Sequence, residues 1–256
     1  MLERYTEILE ATAASRQPVT VGDLVRMSGL PRATVYRLAS SLEETGLLQK
    51  TEDGNFFEIG YRLRRLNCLG LPDQEIRNAV RDLMIKGASN WGETIFMGRM
   101  RGVEVELMLA EVPRDSAQAH IYPGLGLRPL HACSSAKAIL AFRPIELVNT
   151  LIEEQSESFT DKTITGLGDV ICDLEATRTR GYGLCDEEID QGILSLAVPI
   201  IDEGCEPMFS IGLVGPAARM RQHGIEAMAR DLERIAKLSA ERIRHIFMDA
   251  QQVERQ

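Results

Sequence analysis

The chain has 256 residues, 44% of them hydrophobic, and 38 acidic against 29 basic side chains give it a formal net charge of −9. That is material for one large domain or two ordinary ones. The acidic excess speaks against a protein that grips polyanions over its whole surface. No run approaches the ~20 apolar residues that a bilayer span needs. The start, MLERYTEILE, lacks an apolar signal core behind a basic region, so a cytoplasmic protein without membrane contact is expected. Five cysteines (Cys68, Cys133, Cys172, Cys185, Cys205) are odd in number and scattered, with no CxxC pair. Free thiols in a reducing compartment are therefore expected, not a disulfide framework or a structural zinc site. The charge is also uneven. Residues 1–70 carry nine basic and nine acidic side chains, which leaves 20 against 29 for the remainder. Only the first segment has a balance suited to approaching phosphates.

LERYTEILEATAA places Leu2, Tyr5, Ile8, Leu9 and Thr12 at roughly helical spacing and ends before SRQP. A second short helix fits TVGDLVRMSG, capped by Thr20, with Asp23 three residues on completing a box-like start. Leu24, Val25 and Ala33 are expected to face the first helix. Gly29 closes the turn, and Pro31 sits at the first turn of a third helix, PRATVYRLASSLEETG. That helix carries Val35, Leu38, Ala39 and Leu42 on one side and stops at Gly46. Its other side shows Arg32, Thr34, Tyr36, Arg37 and Ser40. A helix-turn-helix puts the N-terminal part of its second helix into the major groove, where arginine takes guanine edges or phosphate and hydroxyls suit phosphates or bases. GLLQKTEDGNFFEIG then alternates apolar and polar residues around Asp53-Gly54, a two-strand hairpin signal. Three helices and a hairpin in this order make a winged helix-turn-helix. The DNA-facing set expected from it is Thr20, Arg32, Ala33, Thr34, Tyr36, Arg37, Ser40, Lys50 and Asn55. Arg62, Arg64 and Arg65 follow the hairpin within reach of the backbone, while the acidic tip Glu52-Asp53 speaks against a wing that enters a groove deeply.

The stretch ILEATAASRQPVTVGDLVRMSGLPRATVYRLASSLEETGLLQKTEDGNFFEIGYRLRRL resembles the DNA-binding domain of IclR-family bacterial transcriptional regulators. The resemblance implies a winged helix-turn-helix over residues 1–65, a linker helix region over 66–90 and a GAF-like effector-binding domain over 73–256. It also implies dimers that pair into tetramers.

After Leu71-Pro72 the pattern changes. DQEIRNAVRDLMIKGASNWG reads as an amphipathic helix with Ile76, Val80, Leu83 and Met84 on one face. ETIFMGRMRGVEVELMLAEVP gives two strands around Arg101-Gly102, with Thr94, Phe96, Val103, Val105, Leu107 and Leu109 inward. Met97, Met100 and Met108 suit strand packing and an adaptable pocket lining. SAQAHIYPGLGLRPLH is marked by glycine and proline and suits a strand pair or a loop along a pocket rim. CSSAKAILAF is a short helix of small residues, and RPIELVNTLIEEQ and LGDVICDLEATRTRG are further helices, the last ended by Gly181. YGLCDEE, ILSLAVPIID and PMFSIGLVG are three more strands. IEAMARDLERIAKLSAERIRHIFMDA closes the chain as a long amphipathic helix. The class expected is α+β, with a central antiparallel sheet packed by helices on one face.

RPLHACSSAKAILA, RTRGYGLCDEEIDQGILSLAVPIID and SIGLVGP resemble the effector domain of the same family. The resemblance implies that Cys133-Ser134-Ser135-Ala136 opens a helix whose amides hold the acid group of a ligand, a role that free helix N–H groups can fill. It further implies that side chains at Cys185, Ser195, Gly212 and Val214 complete the site. Here Cys185 stands where the family carries an acidic residue, and Gly212 and Val214 stand where it carries hydroxyls. A small keto-acid fits this set poorly. Gly212 is read as leaving room for a larger acid, aromatic or partly apolar, or for a sugar acid. Arg128 reads either as a partner for an acid or as an exposed strand-end arginine. With His120 as a pocket lining and Ile193 beside Ser195, the expected effector set is His120, Arg128, Cys133, Ser134, Ser135, Ala136, Cys185, Ile193, Ser195, Gly212 and Val214.

Other chemistry is weaker. His120 and His131 are eleven residues apart near Cys133, which matches no common structural zinc site, and no metal or cofactor is expected. His131 is read as a core or rim residue. Asp186, Glu187, Glu188 and Asp190 are close in sequence, but strand alternation would part them, and a solvated turn accounts for them. Ser134 and Ser135 have no nucleophile context, and GLVGP is too short for a phosphate loop. The expected function is a DNA-binding repressor that is not an enzyme, works on a partly palindromic operator as a dimer or dimer of dimers, and answers to a small organic acid. The alternatives are a ligand-independent DNA-binding regulator and an enzyme acting on a small metabolite.

Overall fold

The computed structural model describes residues 2–15, 17–51, 53–114, 119–154, 156–201 and 206–253, with the backbone alone for 67–69 and 247–253. It divides into two compact units, Met1–Gly70 and Leu71–Gln256.

In the first unit, α1 (Leu2–Ala14), α2 (Val21–Ser28) and α3 (Arg32–Glu44) precede a hairpin of β1 (Leu48–Lys50) and β2 (Phe57–Ile59), and α4 (Tyr61–Gly70) follows. Each boundary has a local cause. The Asp23 amide donates to the Thr20 hydroxyl and the Asp23 carboxylate accepts from the Thr20 amide, a complete capping box. Gly29 ends α2 at φ +68, with its amide on the Val25 carbonyl. Ile8, Leu24, Val35, Leu38, Leu42, Leu48 and Phe57 close around each other as the core. Val19 joins it by exchanging two backbone hydrogen bonds with Phe57, which ties the lead into α2 to the hairpin. Gly60 lies against the end of α3, where any Cβ would stand 2.2 Å from the Gly46 carbonyl oxygen.

One packing expectation fails in this unit. Ala33 is exposed, because α3 turns Val35 and Leu38 inward and a residue two positions before Val35 lies about 200° away around the helix. Leu2 is 78% exposed at the start of α1, whose buried residues are Ile8 and Thr12.

The second unit opens with α5 (Asp73–Trp91), β3 (Thr94–Arg101), β4 (Glu104–Glu111) and β5 (Gly126–Leu127). Then come α6 (Ser134–Leu140), α7 (Ile145–Leu151), α8 (Leu167–Arg180), β6 (Gly183–Asp186), β7 (Ile193–Ile200), β8 (Phe209–Pro216), α9 (Ala217–His223) and α10 (Ile225–Val253). The strands form one antiparallel sheet in the order β5-β4-β3-β8-β7-β6. The class is α+β, as the sequence leads one to expect. Helices cover both faces, however, not one. On one side a Cβ at Gly87 of α5 would stand 2.9 Å from methyls of both Ile235 on α10 and Ile95 on β3. On the other, Phe96 packs with Ala138 of α6. β3 and β8 are buried at nearly every residue, as strands covered on both faces are.

Val103, expected to point inward, is 56% exposed in the β3–β4 turn. The register also slips: Met97 pairs with Leu109 but Gly98 with Leu107, so Met108 is the bulged residue. Of the strand pair or pocket-rim loop expected before α6, the described residues form a loop that carries the short β5, and Ser116, Ala117 and Gln118 lie outside the described residues. The helix α9, which starts directly after Pro216, lies outside the sequence expectations. The fully buried Arg99 donates to the Leu71 carbonyl and to Asp73, which pins the start of α5. Cys133, Cys172 and Cys185 are free thiols. Cys205 and the Cys68 side chain lie outside the described residues. No helix among the described residues is long and apolar enough to cross a membrane.

Candidate functional site

On α3, Arg32, Ala33, Tyr36 and Arg37 are exposed, Tyr36 to 63%, and Thr34 and Ser40 are half-buried beside them. Several other basic side chains of this unit are engaged. Arg26 pairs with Asp23 at 2.5 Å, Lys50 with Glu43 at 2.8 Å, and Arg62 donates to the Thr45 carbonyl. Arg32 and Arg37 have no hydrogen-bond or ion-pair partner among the described residues, so both guanidiniums are open to an external anion. Lys50 is less available, since its ammonium also sits 5.5 Å above the Phe57 ring. The Thr20 hydroxyl donates to Asp23 at 2.6 Å and accepts the Asp23 amide, so its proton is committed to the cap. Asn55 is exposed at the hairpin tip, where its amide donates to Asp53. The Thr51 hydroxyl and that amide hold the Asp53 carboxyl below its usual range, which keeps the tip anionic. Glu52 lies outside the described residues.

In the second unit a cavity of about 200 Å³ opens between the sheet, the start of α6 and the turn before β7. Phe96, Leu107, Ile121, Ile189, Ile193 and Val214 give it apolar walls. Its polar groups are Tyr122, Arg128, Cys133, Cys185, Asp190 and Ser195. Arg128 folds over its own loop and donates to the Pro123 and Gly124 carbonyls, while its buried Nε has no partner among the described residues. Burial pushes the Cys185 thiol up to about 12, reinforced by Glu188 and Cys133. Burial likewise pushes the Cys133 thiol up, against the Ser135 and Ala136 amides that point to its sulfur. Both thiols are therefore neutral at physiological pH, and neither repels an anion.

Of the expected effector residues, the cavity wall gathers Arg128, Cys133, Cys185, Ile193, Ser195 and Val214. Ser134 stands one step behind it, its hydroxyl 2.8 Å from that of Ser195. Ser135 is bonded to Ser210 at 2.6 Å, and Ala136 is packed in the core with Met100 and Val105. His120 is half-buried away from the wall, although the next three residues line it. Gly212 leaves no room: a Cβ there would stand 2.4 Å from both the Leu196 oxygen and the Phe96 ring. The space expected at Gly212 is filled by Phe96, a residue read from the sequence only as inward-facing.

The acidic turn also differs from a solvated one. Glu188 is 6% exposed and accepts from the buried Lys137 ammonium, which also pairs with Asp173 at 2.7 Å. Burial raises the Glu188 carboxyl, and Lys137 opposes that shift. His131 is a core residue: it donates to the Glu157 carbonyl at 2.9 Å and stacks on Phe159, and burial lowers it. Among the described residues no group of three His, Cys, Asp or Glu could hold a metal ion. Asp190 and Ile189 were missed as wall residues because the charge of DEEID hides a turn folded toward the cavity. The DQG segment was the signal that could have placed them on a tight turn.

Residues 69–240 match the family described as bacterial transcriptional regulator IclR C-terminal, and residues 1–52 match the IclR helix-turn-helix domain. The transcriptional repressor IclR of Escherichia coli is 28% identical over 86% of this chain and 81% of its own. The glycerol operon regulatory protein of Streptomyces coelicolor is 26% identical over 87% of each. Two solved structures share the fold. Thermotoga maritima IclR has a TM-score of 0.60 and 24% identity, covering 94% of this chain and 98% of its own. An IclR homologue from Microbacterium hydrocarbonoxydans, complexed with 4-hydroxybenzoate, has a TM-score of 0.60 and 22% identity, covering 95% and 99%. With a helix-turn-helix whose free arginines face outward and a second unit matched along nearly its full length, the chain belongs to the IclR family of bacterial DNA-binding transcriptional regulators.

Proposed function

We propose that this protein is a cytoplasmic repressor whose DNA affinity is set by a small organic acid, an aromatic monocarboxylate before a sugar acid. The observation that carries the reading is Arg128, a cation with a buried, unpartnered Nε on the wall of a mainly apolar cavity of about 200 Å³. A guanidinium in such a wall is suited to a carboxylate. Neutral Cys133 and Cys185 beside it add no competing charge. The apolar walls favour a ring, whereas the many hydroxyls of a sugar acid would find few partners there. The 4-hydroxybenzoate bound by the Microbacterium homologue supports the same class.

The DNA side of the reading rests on Arg32 and Arg37, with Tyr36, Ala33, Thr34 and Ser40 around them and the hairpin residues Lys50 and Asn55 at the margin. A dimer, paired further into a tetramer, presents two such helices to a partly palindromic operator, with half-sites about one turn (~34 Å) or a multiple apart. The acid acts through its different affinities for the DNA-competent and DNA-incompetent states, with a coupling of about 1–3 kcal/mol.

A thermal-shift screen of the full chain against benzoates, keto-acids and sugar acids tests this reading. Ligand bound to the native state raises the melting temperature with the logarithm of its concentration over Kd. Benzoates are expected to shift it in the native protein and not in Arg128→Ala, and operator binding with and without the same compound then gives the sign of regulation. Silence from all three classes would favour a ligand-independent DNA-binding regulator.

A further inference from the structure

The cavity that holds Arg128 also carries a carboxylate. Asp190 stands on the same wall, and no ion pair joins it to Arg128 among the described residues. Two opposite charges therefore line one cavity of about 200 Å³ without pairing with each other.

Asp190 is exposed, so it stands at the mouth, but the turn that presents it is fixed on every side. The Glu187 amide donates to the Ile193 carbonyl and the Ile193 amide to the Asp190 carbonyl, which closes the turn. The Thr160 hydroxyl donates to the Glu187 carbonyl at 2.7 Å and that of Thr163 to the Glu188 carbonyl at 2.6 Å. The Glu187 side chain accepts from the Gly192 amide and from Lys162, and Glu188 is held by the buried Lys137. Asp190 is thus carried on a braced turn, as a residue that orients a ligand must be.

We infer that the effector is an acid carrying a second, donating group, a hydroxyl or an ammonium, and that Asp190 selects it. The inference rests on the acid-binding reading of Arg128. An ionised carboxylate only accepts hydrogen bonds, so the ligand group that meets it must donate. The apolar residues of the same wall, Phe96, Ile189, Ile193 and Val214 among them, suit an apolar body that carries the acid and the donor.

Calorimetric titration of the full chain tests this with benzoate, 3- and 4-hydroxybenzoate, their methoxy counterparts and 4-(aminomethyl)benzoate. A hydrogen bond to a charged group is worth about 10- to 100-fold in affinity. One hydroxybenzoate or the ammonium acid is expected to bind at least about tenfold more tightly than benzoate and the methoxy acids. That gap closes in Asp190→Ala. In Asp190→Asn the amide oxygen still accepts, so a hydroxyl ligand keeps part of the advantage and an ammonium ligand loses it. A merely steric penalty on the methoxy group would survive in Asp190→Ala. Benzoates that bind with no such gap, or with one that Asp190→Ala leaves unchanged, overturn this inference and leave the acid reading standing. If none binds at millimolar concentration, the aromatic-acid reading itself fails and this inference falls with it.

Discussion

Lys137 and Glu188 meet inside the second unit, the ammonium 2.6 and 2.8 Å from the two carboxylate oxygens, with the lysine side chain 1% exposed. The contact joins α6 to the turn that bears the cavity residues Ile189 and Asp190. Removing one partner leaves the other charge buried and unpaired, which costs roughly 3–5 kcal/mol. Lys137→Met is therefore expected to lower the urea midpoint strongly. The deficit should also depend on pH. Burial raises the native Glu188 carboxyl, and such a group contributes stability that is present below the ordinary carboxylate range and lost as pH rises through its native value. Without Lys137 that native value rises further, so the variant should regain stability as pH falls from neutral toward ~4.3. A deficit flat in pH would contradict this account.

Arg37 is an exposed guanidinium without an internal partner, so its loss should touch DNA and little else. Arg37→Ala is expected to weaken operator binding by about 1–3 kcal/mol if it reads a base, or to reduce the salt slope by about one if it meets a phosphate. Anisotropy titrations at several salt concentrations separate the two. Arg26→Ala, which removes an arginine already paired with Asp23, serves as the comparison. Equal effects of the two substitutions would remove α3 from the interface.

Gly212 sits under Phe96, and an added methyl would meet the Leu196 oxygen and the ring at 2.4 Å. Gly212→Ala is expected to cost about 1–3 kcal/mol. It should also push Phe96 into the cavity, weakening any ligand found there. A fully stable variant with unaltered ligand affinity, measured by thermal unfolding and calorimetry, would show that Phe96 has space to yield.

Ser135 and Ser210 share a hydrogen bond of 2.6 Å, with both residues fully buried. Gly98 makes the approach possible, because a Cβ there would stand 1.8 Å from the Ser135 hydroxyl. Ser135→Ala leaves the Ser210 hydroxyl unsatisfied and should cost about 1–3 kcal/mol. The double variant Ser135→Ala/Ser210→Ala should cost less than the two single losses together, which a urea double-mutant cycle reads directly. Strict additivity would mean that each hydroxyl has found another partner.

The first unit was legible almost throughout because its signals are local. The Thr20–Asp23 box, the left-handed stop at Gly29 and the stripe of Val35, Leu38, Ala39 and Leu42 each lie within one or two helical turns. Ala33 was misplaced because one small side chain says little about which way it faces. In the second unit the strands were read and their partners were not. β3 lies between β4 and β8, and β8 comes more than a hundred residues later in the chain.

The sequence by itself determined most of the helices and strands and which face of α3 is exposed, since backbone dihedrals, caps and hydrophobic period act over a few residues. Tertiary structure alone decided the cavity. Cys185 on β6, Ser195 on β7, Val214 on β8 and Asp190 in a turn become neighbours of Arg128 only when the sheet assembles. The same assembly filled the space at Gly212 with Phe96 and buried Glu188 against Lys137, whose sequence separation of 51 residues no periodicity spans. Which charge is paired and which is left for a ligand depends on such long-range distances, and those are set by packing.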